Sequence, residues 1–235
     1  MKKLFYICSL ALVLAACGNE DTTDEAKTKE VSATPEQEET QTNEETETEE
    51  KANDDMEVKD GPLLKAGQWT MNGESKVTLI KIKEDNQPYT VGPMILTVKS
   101  IKLLQHTNVT TEVEEYITSK FHKNLVDKTM NTIQIEYSIE NTAVDKNILF
   151  TAIETLTTDT KVQITVNDAI TENNMIPSDD TGNYKGNVVM EGVIAVPYFS
   201  GSLNDINTIN IITGDVWDDD EGKKINPGEK IEIAF

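Results

Sequence analysis

The sequence predicts an all-β fold for residues 61–235, an antiparallel sandwich with one short helix inserted. After Gly61 the apolar residues recur at every second position, which is the period of a β-strand. About eight such runs follow one another, separated by turn residues and without long intervening helices. The residues before Gly61 lack this pattern, so a folded C-terminal domain follows an N-terminal part of a different kind.

The clearest strand is the run that ends at Asn141. Its apolar residues alternate with polar ones, which indicates one face on the core and one in water. The apolar set is Ile133, Ile135, Tyr137 and Ile139. Similar runs predict further strands at 77–82, 95–104, 148–156, 162–166, 188–196, 206–212 and 231–235. Together these strands are enough for one domain of ordinary size.

The run 95–104 contains a change of phase. The apolar phase switches from Leu96 and Val98 to Ile101 and Leu103 across residues 99 and 100. We therefore expect a β-bulge or a change of sheet at residues 99 and 100.

One segment has helical periodicity. Residues 110–121 carry apolar side chains at helical spacing, namely Val113, Tyr116, Ile117 and Phe121. Thr111 and Glu114 match a capping box. We expect a short amphipathic helix in this insert at 110–122, with its apolar stripe covering one end of the sandwich.

The N-terminus has the layout of an export signal. Lys2 and Lys3 precede a mostly apolar stretch at 4–16, which is shorter than the roughly 20 residues of a membrane-spanning helix. The tetrapeptide Leu-Ala-Ala-Cys at 14–17 resembles the lipobox of bacterial lipoproteins. This resemblance implies removal of residues 1–16 and a diacylglycerol, with acyl chains such as palmitate, on Cys17. Two acyl chains make a stable membrane anchor. The alternative is an ordinary secretory signal followed by an incidental cysteine.

Residues 17–60 predict a lipidated cysteine followed by a disordered acidic tether. Residues 19–60 carry seventeen acids and four lysines, with almost no large apolar side chain. Such a segment cannot bury enough surface to offset the entropy of ordering, and its like charges extend it. We interpret it as a spacer between membrane and domain. Capture of cations or basic proteins by its acids is the alternative.

The charge balance excludes one class of partner. The chain carries a net charge of −21, and all 21 basic residues are lysines. A domain without arginine and with excess negative charge lacks the basic surface that binds nucleic acid. The lysine bias is typical of AT-rich Gram-positive bacteria. Apart from Cys17, the only cysteine is Cys8 in the signal, so the mature domain contains no disulfide.

Three phrases carry a resemblance to a known domain: 92–101, Met130–Asn141, which ends in Glu-Asn, and 227–235, which begins with Pro-Gly. Their order resembles the immunoglobulin-like domain of unknown function on Gram-positive lipoproteins, which is similar in fold to a mycobacterial immunoprotective extracellular antigen. The resemblance covers most of residues 67–235. It implies an immunoglobulin-like β-sandwich at an extracytoplasmic location and provides no catalytic residues. The insert at 110–122 and the stretch 167–186 depart from the shortest form of the pattern.

Signals for catalysis are weak. The two histidines, His106 and His122, lack metal-ligand spacing, and we expect both on the surface. The chain has no Gly-x-Ser-x-Gly nucleophile elbow, and thiol chemistry needs a cysteine that the domain lacks. These patterns favour a protein that is not an enzyme and has no cofactor.

Two sets of residues remain candidates for binding. The acidic loop at 215–221 supplies hard oxygen ligands for calcium, although a hairpin turn rich in Asp and Gly explains the same residues. The candidate ligands are Asp215, Asp218, Asp220 and Glu221. A smaller acidic pair occurs at 179–180. Aromatic residues that suggest a glycan platform, or else core packing, are Trp69, Tyr198, Phe199 and Trp217.

The resulting hypothesis is a lipid-anchored protein on the extracytoplasmic face of the cell membrane. Its β-sandwich would bind an unknown protein or envelope component without catalysing a reaction. The alternative is a calcium- or glycan-binding module that uses the loop at 215–221. The solute receptor of an importer needs two α/β lobes, and this chain is too short and too rich in strands for that.

Overall fold

The computed structural model describes residues 56–166 and 182–235. The lipobox with Cys17, residues 17–55 of the acidic tether and the acidic pair at 179–180 lie outside the described residues. The described residues therefore comprise the domain apart from 167–181, together with the last five residues of the segment assigned to the tether.

The described residues form thirteen β-strands and one α-helix. The strands are β1 (Trp69–Asn72), β2 (Ser75–Val91), β3 (Met94–Thr107), β4 (Met130–Asn141), β5 (Ile148–Leu149), β6 (Thr155–Thr158), β7 (Gln163–Thr165), β8 (Asn183–Tyr184), β9 (Val189–Tyr198), β10 (Thr208–Ile212), β11 (Val216–Asp218), β12 (Lys223–Asn226) and β13 (Lys230–Ala234). The helix α1 (Thr111–Phe121) lies between β3 and β4, and a 3₁₀ turn (Leu203–Asp205) precedes β10.

All the strand pairs within the sheets are antiparallel. One sheet has five strands in the order β1-β2-β3-β4-β9. Two four-stranded sheets have the orders β13-β10-β6-β7 and β12-β11-β5-β8. The inner residues of the five-stranded sheet share one hydrophobic cluster with residues from both smaller sheets. The predicted all-β antiparallel sandwich with one short helix is confirmed.

The core follows the alternation seen in the sequence. Ile133, Ile135 and Ile139 of β4 are at most 1 % exposed and face Ile209, Ile211 and other apolar residues of the smaller sheets within the cluster. A cluster of this size in one domain accounts for stability without a disulfide, since each fully buried aliphatic side chain contributes about 1.5–3 kcal/mol.

A close approach inside the core requires a glycine. Gly192 of β9 lies opposite Tyr137 of β4 on the inner face. A Cβ atom at position 192 would lie 2.5 Å from Cζ of the tyrosine ring. The ring therefore fills the space that a larger residue at position 192 would occupy.

The predicted change of phase in β3 is a register shift in the structure. The shift lies between Val98 and Ser100 in the pairing of β3 with β4. An extra residue on one strand keeps the apolar side chains on the core face on both sides of the bulge. The bulge predicted at residues 99 and 100 is confirmed.

The predicted strand at 148–156 is instead two strands in different sheets. Ile148 and Leu149 pair with β11, whereas Thr155–Thr158 pair with β10. Ala152 and Ile153 are buried in the segment between them. Apolar residues continue through the run at Phe150, Ala152 and Ile153 because the chain stays near the core while it crosses from one sheet to another. The periodicity of the sequence does not predict four short strands that the structure contains, β1, β8, β11 and β12.

The N-cap of the helix lies one residue earlier than predicted. Thr110 is the N-cap, and its hydroxyl accepts a hydrogen bond from the Val113 amide at 3.4 Å. The predicted capping box of Thr111 and Glu114 is wrong, because Thr111 is already the first helical residue. His122 closes the helix in a left-handed conformation with φ of 53°.

Two smaller clusters involve residues of the outer face of the five-stranded sheet. Leu63 packs with Val77, Leu79 and Leu104, and Val58 packs against the same cluster. Val58, in the segment assigned to the tether, also donates an amide hydrogen bond to Trp69 O at 2.8 Å. The helix forms the second cluster through Ile117, Val109 and Met130. The outer face is therefore partly covered by protein.

Candidate functional site

A groove crosses the outer face of the five-stranded sheet, and we call it the outer-face groove. Its volume is about 380 Å³, a size typical of small-molecule sites. Strands β2, β3, β4 and β9 contribute side chains that point away from the core, namely Val77, Leu104, Thr132, Gln134, Val193 and Ala195. The register places these residues beside one another, with Leu104 opposite Thr132 and Gln134 opposite Ala195.

Strand β1 borders the same groove. Three consecutive residues of this strand line it, Thr70, Met71 and Asn72. Met71 is 49 % exposed, so its flexible side chain is available for contact. Because β1 and β9 are opposite edges of the sheet, the groove runs across the strands rather than along one of them.

The lining of the outer-face groove carries no acidic or lysine side chain. The chain as a whole is 27 % charged, so an uncharged surface of this extent differs from the rest of the protein. Aliphatic side chains stand next to hydroxyl and amide groups in the lining. This combination suits a ligand with an apolar body and a few hydrogen-bonding groups.

His106 is the titratable residue in this lining. It is 5 % exposed, and its Nε2 shares a hydrogen bond of 2.9 Å with Oγ1 of Thr132. Burial lowers the pKa of the imidazole to about 4, because the charged form loses its hydration. The ring is therefore neutral at physiological pH and adds hydrogen-bonding capacity without charge.

The prediction that both histidines lie on the surface is wrong for His106. It holds for His122, which is exposed at the end of the helix. His106 lies on the outer face of β3, which Thr132 and neighbouring side chains cover. A local pattern cannot show that a strand's outer face is covered by other parts of the chain.

The sequence contained one signal for the groove. Adjacent apolar residues break the alternation of two strands that line it, at Leu103-Leu104 in β3 and at Ala195-Val196 in β9. Two adjacent apolar residues in a strand indicate that both faces are at least partly shielded from water. We missed the groove because such pairs also occur where a bulge shifts the register.

The acidic loop at 215–221 is held by hydrogen bonds to neighbouring segments. Oδ2 of Asp218 lies 2.6 Å from Nζ of Lys146, and its Oδ1 accepts the Glu221 amide at 3.0 Å. Asp220 accepts the side-chain amide of Asn147 at 2.8 Å. These contacts tie the turn between β11 and β12 to the loop before β5.

Asp215 of the same loop is also paired. Its Oδ2 lies 2.5 Å from Nζ of Lys224, and its Oδ1 accepts the Gly228 amide at 2.9 Å. The Lys224 hydrogen bond holds the pKa of Asp215 below its usual value, as the Lys146 hydrogen bond does for the pKa of Asp218. Among residues 56–166 and 182–235, no cluster of three or more His, Cys, Asp or Glu residues is arranged to hold a metal ion. Calcium binding by Asp215, Asp218, Asp220 and Glu221 stays a prediction.

A second cleft contains Trp217. The cleft has a volume of about 310 Å³ and is also lined by Leu149, Thr151, Glu154 and Asp215. Trp217 is 37 % exposed on β11, opposite Leu149 of β5. Nζ of Lys224 lies 5.6 Å from the centre of the tryptophan ring. An aromatic ring can stack on a sugar, and carboxylates beside the ring can accept hydrogen bonds from the hydroxyl groups of the sugar.

The four aromatic residues considered for a glycan platform lie apart. Trp69 is on β1, under Nζ of Lys76 at 4.3 Å, and Trp217 belongs to another sheet. Tyr198 is buried in the core and shares a hydrogen bond with Thr160. Phe199 packs on Phe121 of the helix, with 5.5 Å between ring centres. The hypothesis that these four residues form one shared platform is therefore wrong.

Comparison with known proteins identifies similar chains of unknown function. No family model matches the sequence. The chain is 25 % identical over 248 residues to the uncharacterized protein YdhF of Bacillus subtilis (strain 168), with the full length of both chains aligned. A crystal structure of a functionally unknown protein from Listeria monocytogenes EGD-e aligns with a TM-score of 0.49 and 18 % identity. That alignment covers 68 % of this chain and 86 % of the other.

Within the part of the chain that the structure describes, no helix has the length and apolar character needed to cross a bilayer. The single α-helix there has eleven residues.

Proposed function

We propose that this protein is a lipid-anchored, extracytoplasmic binding module that does not catalyse a reaction. The observation that carries the binding role is the outer-face groove, an uncharged concave surface built on a rigid sheet. Strands hold its side chains in fixed register, as is typical of a preformed binding site. The anchor rests on the sequence alone, through the resemblance of residues 14–17 to a lipobox.

The chemistry of the groove supports a non-catalytic role. His106 is bonded to a threonine hydroxyl, and no carboxylate lines the groove to orient the imidazole as a general base. In the loop at 215–221, Asp215, Asp218 and Asp220 accept hydrogen bonds that join this loop to neighbouring segments. The Thr132 hydroxyl and the His106 imidazole form a hydrogen-bonded pair in the groove, but no third group among the lining residues orients this pair for nucleophilic attack.

The anchor is tested by changing Cys17 to Ala in the full chain and fractionating cells. The unchanged chain is expected in the membrane fraction, labelled by radioactive palmitate and accessible to protease on intact protoplasts. The Cys17→Ala protein is expected to be unlabelled and released or unprocessed. A processed Cys17→Ala protein that stays with the membrane would contradict the proposal.

A second candidate function is glycan binding at the Trp217 cleft. The observation that favours it is the exposed Trp217 ring beside the carboxylates of Asp215 and Glu154. The Trp217→Ala protein is expected to lose retention on purified cell-wall glycan, whereas Trp69→Ala, with an indole on a different sheet, keeps it. Equal retention of both variants would remove this candidate.

A further inference from the structure

We propose that the outer-face groove binds an uncharged amphipathic small molecule, with its apolar body across β3 and β9 and one polar group at His106. This inference rests on the proposed binding role and specifies the class of ligand.

The charge of the lining and of the whole chain influences which ligands the groove accepts. A ligand in the groove loses water on the side that faces Leu104, Val193 and Ala195, and the lining offers it no counter-ion. An ion that enters the groove loses hydration that no partner replaces, whereas a neutral ligand avoids this loss. The excess of acidic residues in the chain adds repulsion for anions. The missing counter-ion disfavours ions of either sign, and the acidic excess disfavours anions further, so the lining favours a neutral ligand.

His106 offers one ring nitrogen to a polar group of the ligand. His106 uses Nε2 for Thr132, and among the described residues no hydrogen bond to its Nδ1 is present. If the threonine hydroxyl donates to Nε2, Nδ1 carries the proton and donates; in the other tautomer Nδ1 accepts. A hydroxyl or an amine on the ligand satisfies either arrangement. Gln134 adds a side-chain amide on the same face.

The volume of the groove limits the size of the ligand. A volume of about 380 Å³ accommodates a molecule of one or two fused rings with a substituent, and it is at the lower end of drug-sized sites. The groove is open to solvent along Met71, whose exposed side chain can close over a bound ligand. A small molecule therefore matches the groove better than a folded protein surface does.

The test uses two fluorescent probes that differ in charge, with the full chain carrying Cys17→Ala so that no acyl chains compete. N-phenyl-1-naphthylamine is neutral and has one N–H group, and 1-anilinonaphthalene-8-sulfonate has the same rings plus a sulfonate. The neutral probe is expected to bind saturably, with a Kd at least tenfold lower than that of the sulfonate. A cationic dye of similar size, auramine O, is expected to bind no better than the sulfonate.

A matched pair of variants locates the binding. Val193→Asp places a charge in the groove, and Val189→Asp places one on the same face of β9 outside it. Each new aspartate faces a glutamate across the strand pair, Glu136 and Glu140 respectively, so the two changes are electrostatically alike. Val193→Asp is expected to raise the Kd of the neutral probe at least tenfold, and Val189→Asp less than twofold.

A third variant avoids dependence on charge. Ala195→Phe fills the groove with an apolar ring and is expected to raise the Kd as strongly as Val193→Asp. Circular dichroism and urea unfolding check that each variant is folded. Equal effects of Val193→Asp and Val189→Asp, or unchanged binding by the folded Ala195→Phe protein, would overturn the site.

The outcomes separate this inference from the proposed function. Binding of the sulfonate as tight as that of the neutral probe, lost in Val193→Asp, would overturn the ligand class and leave the groove as a binding site. Absence of probe binding by a protein that is anchored through Cys17 would overturn the inference and leave the location intact. Probe binding by a protein that proves not to be anchored would support the inference about the groove and contradict the proposed location.

Discussion

The buried imidazole of His106 makes a specific contribution to the pH dependence of folding. In the native state burial lowers its pKa to about 4, whereas in the unfolded chain the pKa returns to its ordinary value of 6.5. The unfolded state therefore binds the proton first as the pH falls, so this group favours unfolding below pH 6.5. Stability from the neutral ring is complete above pH 6.5, and it is lost as the pH falls from 6.5 to 4.

The size of the effect follows from the two pKa values. At pH 5 the unfolded imidazole is charged and the native one is neutral, which lowers the free energy of unfolding by about 2 kcal/mol relative to pH 7. The full difference of about 3 kcal/mol is reached near pH 4. The lowered pKa values of Asp215 and Asp218 reduce stability mainly below about pH 5, so they leave the comparison of pH 7 with pH 5 almost unaffected.

The assay is urea unfolding of the full chain at pH 7 and pH 5, in three proteins. His106→Gln keeps a hydrogen-bonding group near Thr132 but does not titrate, so its loss of stability between the two pH values is expected to be smaller than that of the unchanged chain by about 2 kcal/mol. His122→Asn removes the exposed imidazole, and asparagine tolerates the left-handed backbone there. This control is expected to behave like the unchanged chain. If His106→Gln loses as much stability as the unchanged chain, the argument from burial is refuted.

Three further predictions concern single residues, and a fourth concerns calcium. Asn141→Ala is expected to lower the free energy of unfolding by about 3 kcal/mol in urea melts, since its buried amide bonds three backbone groups. Asn210→Ala removes one side-chain hydrogen bond and a buried oxygen that has no partner among the described residues. It is therefore expected to change the free energy of unfolding by less than about 1 kcal/mol. Gly192→Ala is expected to destabilise by about 1–3 kcal/mol, and by less in a Tyr137→Val background; an equal effect in both backgrounds would exclude a clash with the ring. Millimolar calcium is expected to leave the Tm unchanged, because both oxygens of Asp218 already accept hydrogen bonds from the protein; a rise in Tm that Asp218→Asn abolishes would show the opposite.

Much of the fold could be read from local pattern. The alternation in β4, the bulge near Val98 and the helix at 111–121 each involve residues within a few positions of one another. A local period is visible in a sequence because the side chains that create it are adjacent in the chain. The N-cap at Thr110 shows the limit of this reasoning, since two successive threonines offer the same cap chemistry.

The candidate site depended on contacts between distant parts of the chain. Whether His106 is buried depends on Thr132, and the alternation within β3 assigns it to a solvent face. The acids of the loop at 215–221 suggest calcium from the sequence, and only the structure shows that Lys146 and Asn147 lie beside Asp218 and Asp220. Nothing in the residues around position 218 indicates that those partners arrive from more than seventy positions away.

The sequence by itself determined the all-β class, the alternation that builds the core face and the excess of negative charge, because composition and period are local properties. The tertiary structure decided which sheet each half of 148–158 joins, which histidine is buried and where an uncharged groove forms. Those features depend on strand register and on the covering of an outer face. Both are set by long-range pairing, in which a shift of one residue would exchange the two faces of a strand.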